Sequence, residues 1–153
     1  MTQISKHLTL EELCYSATAI KLGIVNVPTP AQVANLKVLA EKVFEPMREH
    51  FGVPIHISSG YRILNLNQAI KGSITSQHCR GEAIDIDMGD NGKPSNKDLF
   101  DYIKKNLEFD QLIWEFGTDK NPSWIHVSYS SVKNRKKILK AVKLNGKTHY
   151  ENF

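Results

Sequence analysis

Ser76-Gln77-His78-Cys79-Arg80-Gly81-Glu82-Ala83-Ile84-Asp85-Ile86-Asp87 is the stretch whose reading decides the fold. Its second half alternates. Ile84 and Ile86 fall on one side, and Ala83, Asp85 and Asp87 on the other, so Ala83 to Met88 reads as a strand with one buried face. Gly81 suits a tight turn that delivers the chain from a loop into that strand. Downstream, Trp124-Ile125-His126-Val127 repeats the alternation, with Ile125 and Val127 inward and His126 projecting with Trp124 and Ser128. Two neutral imidazoles and one carboxylate make a zinc site of three protein ligands with an open fourth position, the catalytic rather than the structural arrangement. If His78, Asp85 and His126 converge, the chain is a hydrolase.

The rest of the chain reads as helices first, then strands. Thr9-Leu10-Glu11-Glu12 is a capping box that opens a first helix, expected to run until Gly23. Thr29 caps a longer helix with Pro30 at its first position. Val33, Leu36, Leu39, Ala40, Val43, Phe44 and Met47 supply its apolar face, and Pro46 should kink it or shorten its last turn. Pro54 to Ser58 reads as a strand, Ile63 to Lys71 as a short helix, and Ser95 as the start of another helix. Gln111 to Phe116 and Trp124 to Tyr129 read as two strands. Ile138 to Leu144 and Lys147 to Tyr150, joined by Asn145-Gly146, read as a hairpin with a type I′ turn, a basic helix being the competing reading. The fold expected is α+β: N-terminal helices packed on a small, mainly antiparallel sheet.

The 153 residues fit one domain over 1–153. No apolar run is long enough to span a bilayer. Met1 to His7 contains no apolar h-region, so synthesis in the cytoplasm without a signal peptide is expected. Cys14 and Cys79 are too few for a disulfide framework and read as free thiols, Cys79 lying beside a ligand position and not on it. The net charge of +4 is unevenly spread: residues 1–119 carry 12 basic and 15 acidic residues, and residues 120–153 carry 8 basic residues and only Glu151. The basic segment 130–153 suits an anionic polymer or a solvated face. No nucleic-acid reading motif accompanies it, so no nucleic-acid partner is expected.

Ser76, His78, Gly81, Ala83 and Asp85 together match the pattern SxHxxGxAxD, and here the chain resembles the zinc D-Ala-D-Ala carboxypeptidase family. That family belongs to a wider group with the lysostaphin-type peptidases and the hedgehog signalling domain. Ser58-Ser59-Gly60-Tyr61-Arg62 is similar to the family's SGYR element, and Trp124-Ile125-His126 resembles its last-ligand strand. The order of elements from Leu8 to Tyr129 looks like the branch that includes phage endolysins. The segment beyond about Ser130 is poorly covered.

The resemblance implies that His78, Asp85 and His126 bind Zn2+. It implies that Arg62 stands by the site and pairs with a substrate carboxylate, which a guanidinium fork matches bidentately. Ser76 would contact substrate or hold the metal loop. Relatives place a Glu or His three residues before the last histidine, where this chain has Ser123, which cannot move a proton. Glu115, across a hairpin from Trp124 to His126, is the candidate base, with a pKa raised by burial. Asp87 is a candidate to orient a ligand histidine. His7, His50 and His149 are expected to be solvated. The function expected is hydrolysis of D-amino-acid-containing peptide bonds in the peptidoglycan stem by a monomeric lytic enzyme released in the manner of a phage lysin. A non-catalytic zinc module that binds cell wall is the alternative.

Overall fold

The structure, a computed structural model, describes residues 1–153. In chain order it contains β1 (Gln3–Ser5), β2 (Leu8–Thr9), α1 (Leu10–Cys14), α2 (Ala17–Leu22) and α3 (Pro30–Leu39). A wide π-type turn over Ala40–Phe44 leads into α4 (Glu45–Phe51), followed by β3 (Ile57–Ser59), α5 (Leu64–Ala69) and a 3₁₀ turn at Gln77–Arg80. Then come β4 (Ala83–Ile86), α6 (Asn96–Asn106), β5 (Gln111–Glu115), β6 (Trp124–Ser128), β7 (Lys137–Leu144) and β8 (Lys147–Asn152).

The helices start where their caps stand. Thr9, Thr29 and Ser95 each close a capping box, with Glu12, Gln32 and Asp98 as the reciprocal partners. The single helix expected up to Gly23 is two helices. Tyr15 is extended, and the Ser16 hydroxyl accepts from Ala19 N to start α2 afresh. Pro46 disturbs the longer helix in the turns that precede it. Pro46 has no N–H, and the chain absorbs this in the wide turn before it, where Glu45 N donates to Ala40 O five residues back. The helix then runs on to Phe51 and stops at Gly52, whose φ is +67°.

Six strands form the main sheet in the order β3-β4-β6-β5-β7-β8. All neighbours are antiparallel except β5 and β7. The α+β class expected from the pattern is the class found. One sheet face carries Ile84, Ile86, Leu112, Trp114, Ile125 and Val127 into a core shared with Leu36, Leu39, Val43, Phe44 and Met47 and with Leu99, Phe100 and Ile103 of α6. Burial of each such side chain contributes about 1.5–3 kcal/mol, so the helical layer fixes which face of every strand is left for chemistry. The other face carries Asp85, His126, Ile113, Glu115, Leu139 and Ala141.

The C-terminal segment is a hairpin and not a helix. Asn145 and Gly146 both have positive φ, 51° and 75°, the type I′ turn that their residue types favour. The hairpin is an integral edge of the sheet, because β7 lies parallel to β5 from Lys137 to Ala141, the full length of β5. Its approach is clamped by Arg135, which grips the buried Asp110 with two side-chain bonds of 2.9 and 2.8 Å and a backbone bond of 3.0 Å. Lys136 pairs with Glu108 and Lys140 with Asp119, so part of the basic end is neutralised internally.

Candidate active site

Asp85 and His126 face each other because β4 and β6 pair antiparallel with these two residues in register. Partners in register share a sheet face. His78 arrives from the 3₁₀ turn, which Ser76 caps by accepting from His78 N. Gly81 ends that turn at φ +71°, and a Cβ there would meet the Gln32 carbonyl oxygen at 2.5 Å. No other residue type fits, and the sharp reversal brings His78 back over β4.

The three donor atoms nearly touch. His126 Nδ1 lies 2.9 Å from Asp85 Oδ1, and His78 Nε2 lies 3.2 Å from both Asp85 Oδ1 and His126 Nδ1. A tetrahedral zinc with bonds of about 2.0–2.1 Å spaces its ligands by about 3.3 Å, so this triangle fits such an ion. The tautomers fit as well. His78 Nδ1 is 2.7 Å from the Gly60 carbonyl, which can only accept, so Nδ1 carries the proton and Nε2 presents its lone pair. Burial pushes His78 below the usual imidazole range, against the pull of Asp85, and keeps it neutral. Burial works against the Asp85 charge, yet His78 and His126 hold its carboxyl well below the ordinary carboxylate range. His78 Nε2 and the Asp85 carboxylate are therefore in the deprotonated states that a metal requires.

Arg62 stands at the rim of the same group. Its Nη2 donates to Asp85 Oδ2 at 3.2 Å, Nη1 to Asn67 Oδ1 at 3.1 Å and Nε to Ser59 Oγ at 3.1 Å. Three of the five guanidinium N–H groups are thus engaged and two remain. Asp85 is bridged: Oδ2 to Arg62, Oδ1 to the imidazoles.

These residues open into a cleft of about 860 Å³ that is also lined by Ser76, Glu115, Phe116 and Trp124. Glu115 pairs with Trp124 across β5 and β6, as the hairpin reading required, and is only 7 % exposed. Burial lifts its carboxyl to about 7; His126 and Arg62 pull it down, and the Asp85 carboxylate pushes it further up. Such a group can both take and return a proton near neutrality. Ser123 is occupied elsewhere, its N donating to Glu115 O and its carbonyl accepting from Asn96 Nδ2.

Several expectations about outer residues are corrected. Asp87 orients no histidine, because its Oδ1 accepts from Gly89 N and Asn96 Nδ2. The group that orients His78 is the backbone carbonyl of Gly60. His7 is not simply solvated; its Nδ1 lies 2.7 Å from Glu45 Oε2. His50 and His149 are exposed as expected, His50 also stacking on Tyr102 at 4.3 Å, and His56 Nδ1 bonds the Asp87 carbonyl. Cys14 and Cys79 are free and half-buried, and neither joins the donor triangle. Two asparagines escaped the reading from sequence. Asn67, fully buried, holds Arg62 and donates to Ser73 O; Asn96, 1 % exposed, ties Met88 N, two residues past β4, to the carbonyls of Pro122 and Ser123 ahead of β6. Nothing in their local pattern marks them, since their partners lie in other elements or loops of the fold.

In comparison with known proteins, the family model described as Peptidase M15 matches residues 6–128. That span contains β3 to β6 and every residue of the triangle. No curated protein matches the chain.

Proposed function

We propose, from the premise that this chain belongs to the peptidase M15 family and so to the metallopeptidases, that it hydrolyses D-amino-acid-containing peptide bonds of the peptidoglycan stem. The observation that carries this reading is the triangle of His78, Asp85 and His126 with the buried Glu115 in the same cleft. His78 Nε2, Asp85 Oδ1 and His126 Nδ1 would hold zinc, whose Lewis acidity towards a carbonyl and a water is the chemistry it supplies.

The chain's own groups do the rest. Glu115 takes a proton from the attacking water onto its carboxylate and returns it to the leaving amine, a role to which its burial in the cleft suits it. Arg62 holds Asp85 in place through Oδ2, and its two unused N–H groups are left to pair with a substrate carboxylate. Ser76 and Gly81 hold the turn that carries His78, so Ser76 serves the site through the loop. Trp124 and Phe116, with ring centroids 5.4 Å apart, wall the cleft beside Glu115 and limit water. Lys133, Lys137, Lys143 and Lys147 are exposed without acidic partners and suit an anionic wall polymer.

Zymography on purified cell wall tests the reading. A clearing zone is expected that a chelator removes, that zinc restores and that Glu115→Ala abolishes. Zinc bound in the triangle with no clearing and no released peptide would overturn the enzyme and leave a wall-binding module.

A further inference from the structure

The family match ends at residue 128, and the β7–β8 hairpin lies beyond it. The hairpin nonetheless lines the cleft. Leu139, Thr148 and Tyr150 face it together with Glu115, His126 and Arg62. Strand register explains how. Glu115 pairs with Ala141, and Ala141 pairs with Tyr150, so the three form one row on the cleft face of β5, β7 and β8. Ala141 is fully buried and offers only a methyl group, so nothing in the row stands between the Tyr150 ring and Glu115. Thr148 follows two positions away on the same face, and Ile113 and Leu139 form the apolar floor beside Ala141. Neither the Tyr150 nor the Thr148 hydroxyl is taken up by another group of the chain. Tyr150 is 56 % exposed, and its partial burial with the nearby Glu115 and Asp85 carboxylates shifts the phenol upwards, so it is a hydrogen-bond donor at neutral pH.

The sheet also orders these groups in space. Arg62 follows β3 at one edge, the triangle sits on β4 and β6, Glu115 on β5, and Tyr150 on β8 at the other edge. Four strand spacings separate β4 from β8, about 19 Å, the length of about five or six extended residues.

We propose that Tyr150 and Thr148 form a substrate subsite in which their hydroxyls donate hydrogen bonds to an extended peptide on the acyl side of the scissile bond. This rests on the peptidase reading above, in which Arg62 takes the carboxylate at the opposite end. A peptide anchored at Arg62 and crossing Glu115 has to run over Leu139 towards β8. The hairpin then selects for substrates several residues long, with polar backbone groups where Tyr150 and Thr148 stand.

The test is binding, so that it stands apart from catalysis. In a zinc-loaded Glu115→Gln background, the affinity for a synthetic stem pentapeptide ending in D-Ala-D-Ala is measured by calorimetry. Tyr150→Phe and Thr148→Val are each expected to weaken it about 3- to 10-fold, the loss of one neutral hydrogen bond. His149→Ala, on the same strand but the opposite face, should stay within twofold, and thermal melts check that all variants fold. The proposal is overturned if the parent does not bind the pentapeptide, if Tyr150→Phe and Thr148→Val stay within twofold, or if His149→Ala weakens binding as much as they do. A wild-type chain that binds the pentapeptide without cleaving it would refute the peptidase reading alone.

Discussion

Glu115 shows how one residue ties stability to chemistry. Its folded pKa of about 7 lies above the ordinary 4.5, so the folded chain holds a proton that the unfolded chain releases. The stability present below about pH 4.5 is therefore lost as pH rises through 7. Glu115→Gln removes this penalty. In the metal-free protein the stability of the variant relative to wild type should grow between pH 4.5 and 8 by something on the order of 3 kcal/mol. Urea melts at several pH values measure this, and a difference that stays flat with pH would show that the carboxyl is not held in an apolar setting. His78 owes its neutral state to the same kind of burial and is oriented by Gly60 O, whereas Asp85 stays ionised against burial through the two imidazoles.

At the scale of elements, the turn before β4 decides whether the triangle closes. Gly81 combines a φ of +71° with a Gln32 carbonyl that a Cβ would meet at 2.5 Å. Gly81→Ala should cost about 1–3 kcal/mol and weaken zinc binding as the His78 turn shifts away from α3. Gly146 has a similar φ of +75° but open space around it. Gly146→Ala should therefore cost only about 1 kcal/mol and leave zinc affinity unchanged. Denaturant melts with metal titrations of both variants compare the two; equal zinc affinities would mean that the turn tolerates displacement. The register of β4 on β6 has a similar weight, since a slip of one residue would move Asp85 off His126 and turn Ile84 and Ile86 out of the core.

For the whole molecule, the three donors come from separate parts of the chain, so an ion gripped by them would cross-link the sheet to the His78 turn. Zinc at about a hundredfold over its Kd adds about 2.7 kcal/mol, so chelation should lower the melting temperature by roughly 5–10 °C for a chain of this size. His126→Ala should abolish that difference, and differential scanning calorimetry with and without chelator would reveal a shift that survives the mutation. Much of this architecture was written locally. The alternation of Ala83 to Ile86 and of Trp124 to Ser128 named the strands and their inner faces, the boxes at Thr9, Thr29 and Ser95 named the helix starts, and Asn145-Gly146 named the turn. Glu115 was within reach because a short hairpin carries it to Trp124. Those features depend on side-chain periodicity and on hydrogen bonds a few residues long, which neighbours in sequence determine by themselves. Tertiary structure alone decided the rest: that Gly60 orients His78, that Asn67 and Ser59 hold Arg62, that Asp87 serves Asn96, and that β7 joins β5 in parallel and brings Tyr150 into the cleft. Gly60 with His78 and β5 with β7 join segments far apart along the chain, and the contacts of Arg62 and Asp87, though they span only three to nine residues, cross from one element to the next, so only the packing of the elements on one another determines which groups meet.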